Sequence, residues 1–128
     1  MWEFGRLIRS RMRDGAQPCP SISQIEALQF VSEQGGPTMR DIAALLKVKA
    51  PSATALVDEL VGSGFLTRTP DPADRRQVRL AMTRKGASAL ATAVARKKKV
   101  ISSVLSPLAA SDKAQFDRLL QKILTHNA

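Results

Sequence analysis

One cysteine, one histidine and no tyrosine stand among the 128 residues, so the chain is poor in the side chains that most chemistry needs. Cys19 alone cannot close an internal disulfide, and together with His126 it falls short of the four ligands of a structural zinc site. A catalytic constellation needs a nucleophile, a base and an orienting group. The single histidine lies two residues from the end, and neither a glycine-rich phosphate loop nor a carboxylate pair stands out, so the sequence predicts no enzyme, no metal and no cofactor. No apolar run approaches the roughly 18 residues that span a bilayer. The first thirteen residues mix Trp2, Phe4, Leu7 and Ile8 with four arginines and lack the apolar block and small-residue cleavage site of a secretory signal, which predicts a cytoplasmic protein. Cys19 lies between Pro18 and Pro20 with no basic neighbour to stabilise a thiolate, and reads as inert rather than oxidant-sensing.

What is abundant is positive charge. Twenty Lys and Arg against eleven acids give a net charge of +9, a balance that favours a polyanionic partner. The length suits one domain, with no repeat and no low-complexity linker.

Punctuation along the chain sets the order of elements. Ser21 and Gln24 have capping-box spacing for a helix to about Glu33, with Ile25, Leu28 and Val31 on its apolar side, and Gly35-Gly36-Pro37 stops it. Thr38 and Asp41 repeat the box, and Met39, Ile42, Ala43 and Leu46 stripe a short helix ending near Lys47. After a tight turn at Val48 to Ala50, Pro51 suits a first helical position, and Ala53, Leu56, Val57, Leu60 and Val61 stripe the next helix until Gly62 and Gly64 end it. Two short helices joined by so tight a turn predict a helix-turn-helix. Phe65 to Thr69 and Gln77 to Met82 read as strands joined by the long charged loop Pro70 to Arg76, which predicts a protruding hairpin. Thr83 caps a long helix to about Ser106, and Ser111 or Asp112 opens a last one bearing Phe116, Leu119, Leu120, Ile123 and Leu124. The fold class predicted is mainly α with a small β-hairpin wing, a winged helix-turn-helix flanked by N- and C-terminal helices.

From Ser21 to Gly86 the chain resembles the multiple antibiotic resistance regulator family, MarR. Thr38 to Leu46 resembles the family's first helix of the pair, Thr54 to Gly64 its recognition helix and stop, and Asp71 to Arg76 its wing. Leu80 to Gly86 resembles the junction into the long helix, with Asp74, Arg76, Thr83 and Gly86 at matching spacing. Two features depart from the pattern. Ala50-Pro51 replaces a polar helix start, with Ala55 at a position often basic or polar, and the first helix is short. The resemblance implies a single MarR-like domain, with residues 21–86 as the DNA-binding lobe and residues 1–20 and 87–128 as a helical dimerisation region.

A homodimeric transcriptional regulator, a repressor on a pseudo-palindromic operator with half-sites roughly 10 base pairs apart, is the function this implies. Pro51, Ser52, Thr54 and Ala55 then belong to the recognition helix, with hydroxyls and a methyl for base edges and Lys49 for a phosphate. Arg75 or Arg76 enters a minor groove. The resemblance implies an Asp74–Arg76 bridge with Arg75 nearer the DNA, and the reverse assignment stays open. Arg40, Lys47, Arg68 and Arg79 are candidate phosphate contacts. Leu7, Ile8, Phe116, Leu119, Leu120 and Ile123 are candidate dimerisation residues. The run Arg96-Lys97-Lys98-Lys99 reads as a solvated helix face leading away from DNA. The family also suggests a small aromatic or phenolic effector, for which Trp2, Phe4, Phe30 and Phe116 are candidate lining, although core packing explains them as well. The alternative function is a winged-helix protein-interaction or RNA-binding module, against which the arginine-bearing wing argues.

Overall fold

The computed structural model describes residues 2–13 and 20–128, so Cys19 lies outside the described residues. Among the described residues, six helices and one antiparallel hairpin follow in the order α1 (Trp2–Arg13), α2 (Ile22–Gln34), α3 (Met39–Leu46), α4 (Ala50–Gly62), β1 (Leu66–Pro70), β2 (Val78–Met82), α5 (Arg84–Val104) and α6 (Ala110–His126). The chain divides into two compact units, residues 16–95 and residues 1–15 with 96–128.

In the first of these units both capping boxes form. Ser21 accepts from the Gln24 N–H at 3.2 Å while Gln24 accepts from the Ser21 N–H at 2.8 Å, and Thr38 and Asp41 exchange the equivalent pair. Each satisfies two backbone donors that a helix start otherwise leaves open. The apolar stripes of α2, α3 and α4 converge with both strands on a core of Leu28, Ile42, Val57, Leu60, Leu66 and Leu80, all essentially inaccessible. Burying each such side chain contributes about 1.5 to 3 kcal/mol. The strands pair from Leu66 opposite Met82 to Pro70 opposite Val78. Thr38 bridges Arg79, and the Leu80 N–H donates to the Pro37 carbonyl at 2.9 Å, so the α2–α3 connection is tied to the hairpin.

Four boundaries differ from the sequence reading. Helix α4 begins at Ala50, because Lys49 already takes the extended N-cap conformation, and Pro51 falls in the first turn, where its missing N–H costs nothing. Strand β1 runs one residue later than expected, and β2 begins at Val78 rather than Gln77, whose N–H is taken by the Asp74 carbonyl within the loop. Helix α6 opens after Ala109, an extended N-cap without a side-chain hydrogen bond, rather than at Ser111 or Asp112.

Where α5 begins, backbones approach closely. The Thr83 hydroxyl lies 2.6 Å from the Gly64 carbonyl, to which it donates, and accepts from the Gly86 N–H at 2.9 Å. Gly86 is buried against Phe65.

In the other unit, no residue of α1 or α6 is buried. Leu7, Leu119, Leu120, Ile123 and Leu124 are all exposed, while Ile8 and Phe116 are half-buried.

Candidate nucleic-acid interface

Three residues, Lys47 to Lys49, separate α3 from α4. Lys47 closes α3 in the left-handed conformation (φ 53°) with its N–H on the Ala43 and Ala44 carbonyls, and Lys49 turns the chain into α4. A non-glycine residue is uncommon there, and its use lets the two helices follow one another without a glycine hinge.

Helix α4 then sorts its residues by face. Ala53, Val57 and Leu60 are buried, and Pro51, Ser52, Thr54 and Ala55 are exposed. The Thr54 hydroxyl donates to the Ala50 carbonyl at 3.0 Å, so toward a base edge it offers its lone pairs and methyl group rather than its proton. The first two turns hold no acid. Asp58 pairs with Arg68, and the Glu59 carboxylate accepts from the Gln24 amide at 2.9 Å. The exposed N-terminal part of α4 therefore combines the positive end of a helix dipole with Lys49, an environment that favours anions.

The wing is a self-bonded loop. The Asp71 N–H donates to the Gln77 carbonyl and the Gln77 N–H to the Asp74 carbonyl, both at 3.0 Å. The Asp74 carboxylate accepts from the backbone N–H of Arg76 at 3.0 Å. That corrects the expected Asp74–Arg76 bridge: Asp74 holds the main chain of residue 76, and no ion pair joins the two among the described residues. The ion pair at the wing's base is Asp71–Arg79. The Arg79 Nε donates to the Asp71 carboxylate at 2.7 Å, and its Nη1 to the Gly36 carbonyl at 2.8 Å. One guanidinium thus straps the wing to the α2–α3 turn, where Gly36 sits at φ 120°, a region that L side chains rarely adopt.

Arg75 and Arg76 are exposed, and neither forms an ion pair among the described residues. Arg40 and Arg76 line one open cleft of about 490 Å³ at the start of α3. Of the four candidate phosphate contacts, Arg40 and Lys47 remain unpaired among the described residues, whereas Arg68 and Arg79 have part of their donor set engaged within the protein. Those partners lie 10 and 8 residues away in sequence, and the only advance signal was opposite charge.

Asp71 is nearly inaccessible, at 5% exposure, yet its carboxyl is held below the usual range, first by the Ala73 N–H at 2.8 Å and then by Arg79. Thr38 lowers Asp41 in the same way. A folded carboxyl that titrates below its unfolded value of about 3.9 contributes stability above that pH and loses it as pH falls through the folded value. Between about pH 5 and pH 2 the melting temperature of the wild type should therefore fall more steeply than that of Asp71→Asn, whose network no longer titrates. Parallel curves would remove Asp71 from the account of acid sensitivity.

A second cleft, of about 570 Å³, has Val31, Leu80 and Met82 among its lining with Ser32, Thr83 and Arg84. None of the four aromatic candidates lines it: Trp2 and Phe4 are 79% and 46% exposed, and Phe30 packs against the core.

The MarR family model matches residues 21–78, from the N-cap of α2 to the first residue of β2. An HTH-type transcriptional regulator of Mycobacterium bovis is 30% identical over 103 residues, covering 80% of this chain and 71% of the relative. The apo form of MarR from E. coli superposes with a TM-score of 0.77 at 22% identity, over 96% of this chain and 90% of that one. The PcaV transcriptional regulator of Streptomyces coelicolor, in complex with its natural ligand, superposes with a TM-score of 0.69 at 20% identity, over 99% of this chain and 88% of that one. With a tight helix pair, an arginine-tipped wing and the Thr83–Gly86 junction in place, the chain belongs to the MarR family of DNA-binding, helix-turn-helix transcriptional regulators.

Proposed function

We propose that this regulator acts as a homodimeric repressor, setting the α4 N-terminus in the major groove of each half of a pseudo-palindromic operator and a wing arginine in the adjoining minor groove. The observation that carries the reading is the pairing of an exposed, acid-free start of α4 with two exposed wing arginines that no carboxylate neutralises among the described residues. Duplex phosphates repel acids and draw guanidinium groups into narrow minor grooves, so this distribution suits double-stranded DNA better than an RNA or protein surface. Lys49, Arg40 and Lys47 complete the phosphate contacts. Dimerisation through α1 and α6 is supported by their exposed apolar faces.

A small aromatic or phenolic effector completes the reading. The cleft of about 570 Å³ offers it an apolar floor of Val31, Leu80 and Met82 with Arg84 for an anionic group.

Fluorescence anisotropy on duplex from the protein's own promoter and on scrambled duplex tests the reading. Promoter-selective binding is expected, and Arg75→Ala or Arg76→Ala should weaken it by roughly tenfold or more, since a well-placed arginine contact contributes about 1 to 3 kcal/mol. Equal affinity for both duplexes, unaffected by either change, would point to an interaction module without operator specificity.

A further inference from the structure

The charge that singles out this protein is not where operator reading takes place. Residues 16–95, which contain the helix pair and the wing, carry nine Lys and Arg against seven acids, a net of +2, and Arg68 and Arg79 are already paired with acids. Residues 1–15 and 96–128 carry eleven against four, a net of +7. A unit that merely joined two protomers would gain nothing from this excess, because two copies brought together repel one another.

The excess is arranged on helix faces. Successive helical residues turn by about 100°, so along α5 Val100, Ile101 and Val104 fall on one side, and Lys98, Lys99, Ser102 and Ser103 on the other. All four of these are exposed, and α5 contains no acid along its length. In α1, Arg6, Arg9 and Arg13 recur at i, i+3 and i+7 and are exposed, with the Arg9 guanidinium 5.9 Å from the centre of the exposed Trp2 ring. A helix that lies on a membrane needs apolar side chains to insert beside its cations. The Lys98 to Ser103 face has only cations and hydroxyls, the groups that meet duplex phosphates.

We propose that the helical unit binds duplex DNA outside the operator, without sequence preference, through the α5 face of Lys98, Lys99, Ser102 and Ser103 and the Arg6, Arg9 and Arg13 stripe of α1. Each dimer then holds non-operator DNA by a surface that the wing does not supply.

The test uses the full-length protein carrying Arg75→Ala and Arg76→Ala, titrated onto scrambled duplex between about 50 and 300 mM salt. This variant should lose promoter selectivity and keep steeply salt-sensitive binding. Adding Lys98→Gln and Lys99→Gln should lower the slope of log affinity against log salt by about 2 per protomer that touches the duplex. Lys98→Arg with Lys99→Arg should preserve the slope, and Lys97→Gln, on the side of Val100 and Val104, should leave it unchanged. Circular dichroism confirms that each variant is folded. An unchanged slope in the glutamine variant, or loss of all duplex binding on removal of the wing arginines alone, overturns the proposal. So does a glutamine variant that keeps its DNA slope but no longer binds phosphatidylserine vesicles, which would make the face a membrane contact. Promoter selectivity, read separately in the protein with its wing intact, decides the operator-binding reading whichever way this titration falls.

Discussion

Gly86→Ala is expected to lower the melting temperature by roughly 10 °C or more and to abolish DNA binding with it. An alanine Cβ at this position would collide with the Phe65 carbonyl oxygen and stand 2.9 Å from its carbon, closer than any real contact. Both obstacles are main chain, so no rotamer change relieves them. Phe65 itself is fixed by the Thr83 N–H, which donates to the same carbonyl at 3.1 Å, and by its own N–H on Leu60. Separating the backbones would break these bonds and lift the start of α5 from the core. Overpacking a flexible site costs about 1 to 3 kcal/mol, and this site is at the upper end because it cannot yield. For a lobe of this size each kcal/mol moves the melting temperature by about 4 to 8 °C. Gly62→Ala is the internal control. It sits in α4 with nothing within 4 Å of the added carbon, and should be neutral or slightly stabilising, as alanine is preferred in helices. If the two variants melt alike, the close approach at Gly86 is not what requires glycine.

That contrast also shows what was legible in the sequence. Gly86 was recognisable by its spacing from Thr83, but its reason lies just ahead of β1, about twenty residues earlier, and only the fold brings Phe65 beneath it. The helix starts at Ser21 and Thr38 were readable because both halves of each capping box lie within four residues. The start of α6 was not, since Ala109 caps without a side-chain hydrogen bond and leaves no residue signal. The wing followed the same rule. Its length, turn formers and arginines are local and could be read, whereas the Arg79 strap joins Asp71 and Gly36 across 8 and 43 residues. Net charge misled in a more instructive way. It pointed correctly to a polyanion but gave no position, and most of the excess lies outside the residues that carry the helix pair and wing.

If the proposed homodimer forms through α6, Ile123→Asp should convert it to a monomer and reduce affinity for the proposed operator on the order of a hundredfold or more. Phe116, Leu119, Leu120 and Ile123 recur at i, i+3, i+4 and i+7, one stripe along α6, and Leu119 and Ile123 stand 49% and 58% exposed. A soluble protein rarely leaves such a stripe open to water unless a partner covers it, and a second copy supplies a matching one by two-fold symmetry. A carboxylate placed on the stripe at Ile123 would be buried without a partner, at a cost that outweighs the apolar area gained. The effect on DNA is indirect and larger than that of any single base contact. Two linked lobes bind their half-sites with an effective concentration in the millimolar range, and the dimer's advantage of about 10² to 10⁴ is lost when the link is cut. Because Ile123 lies in the last turns of α6 and is solvent-exposed within the protomer, the Asp variant should retain the circular dichroism and melting behaviour of the winged lobe. Sedimentation and operator titration on one preparation then separate the outcomes. A folded monomer with weak, non-cooperative binding to each half-site supports assembly through α6, and a variant that remains dimeric at full affinity would place the interface elsewhere.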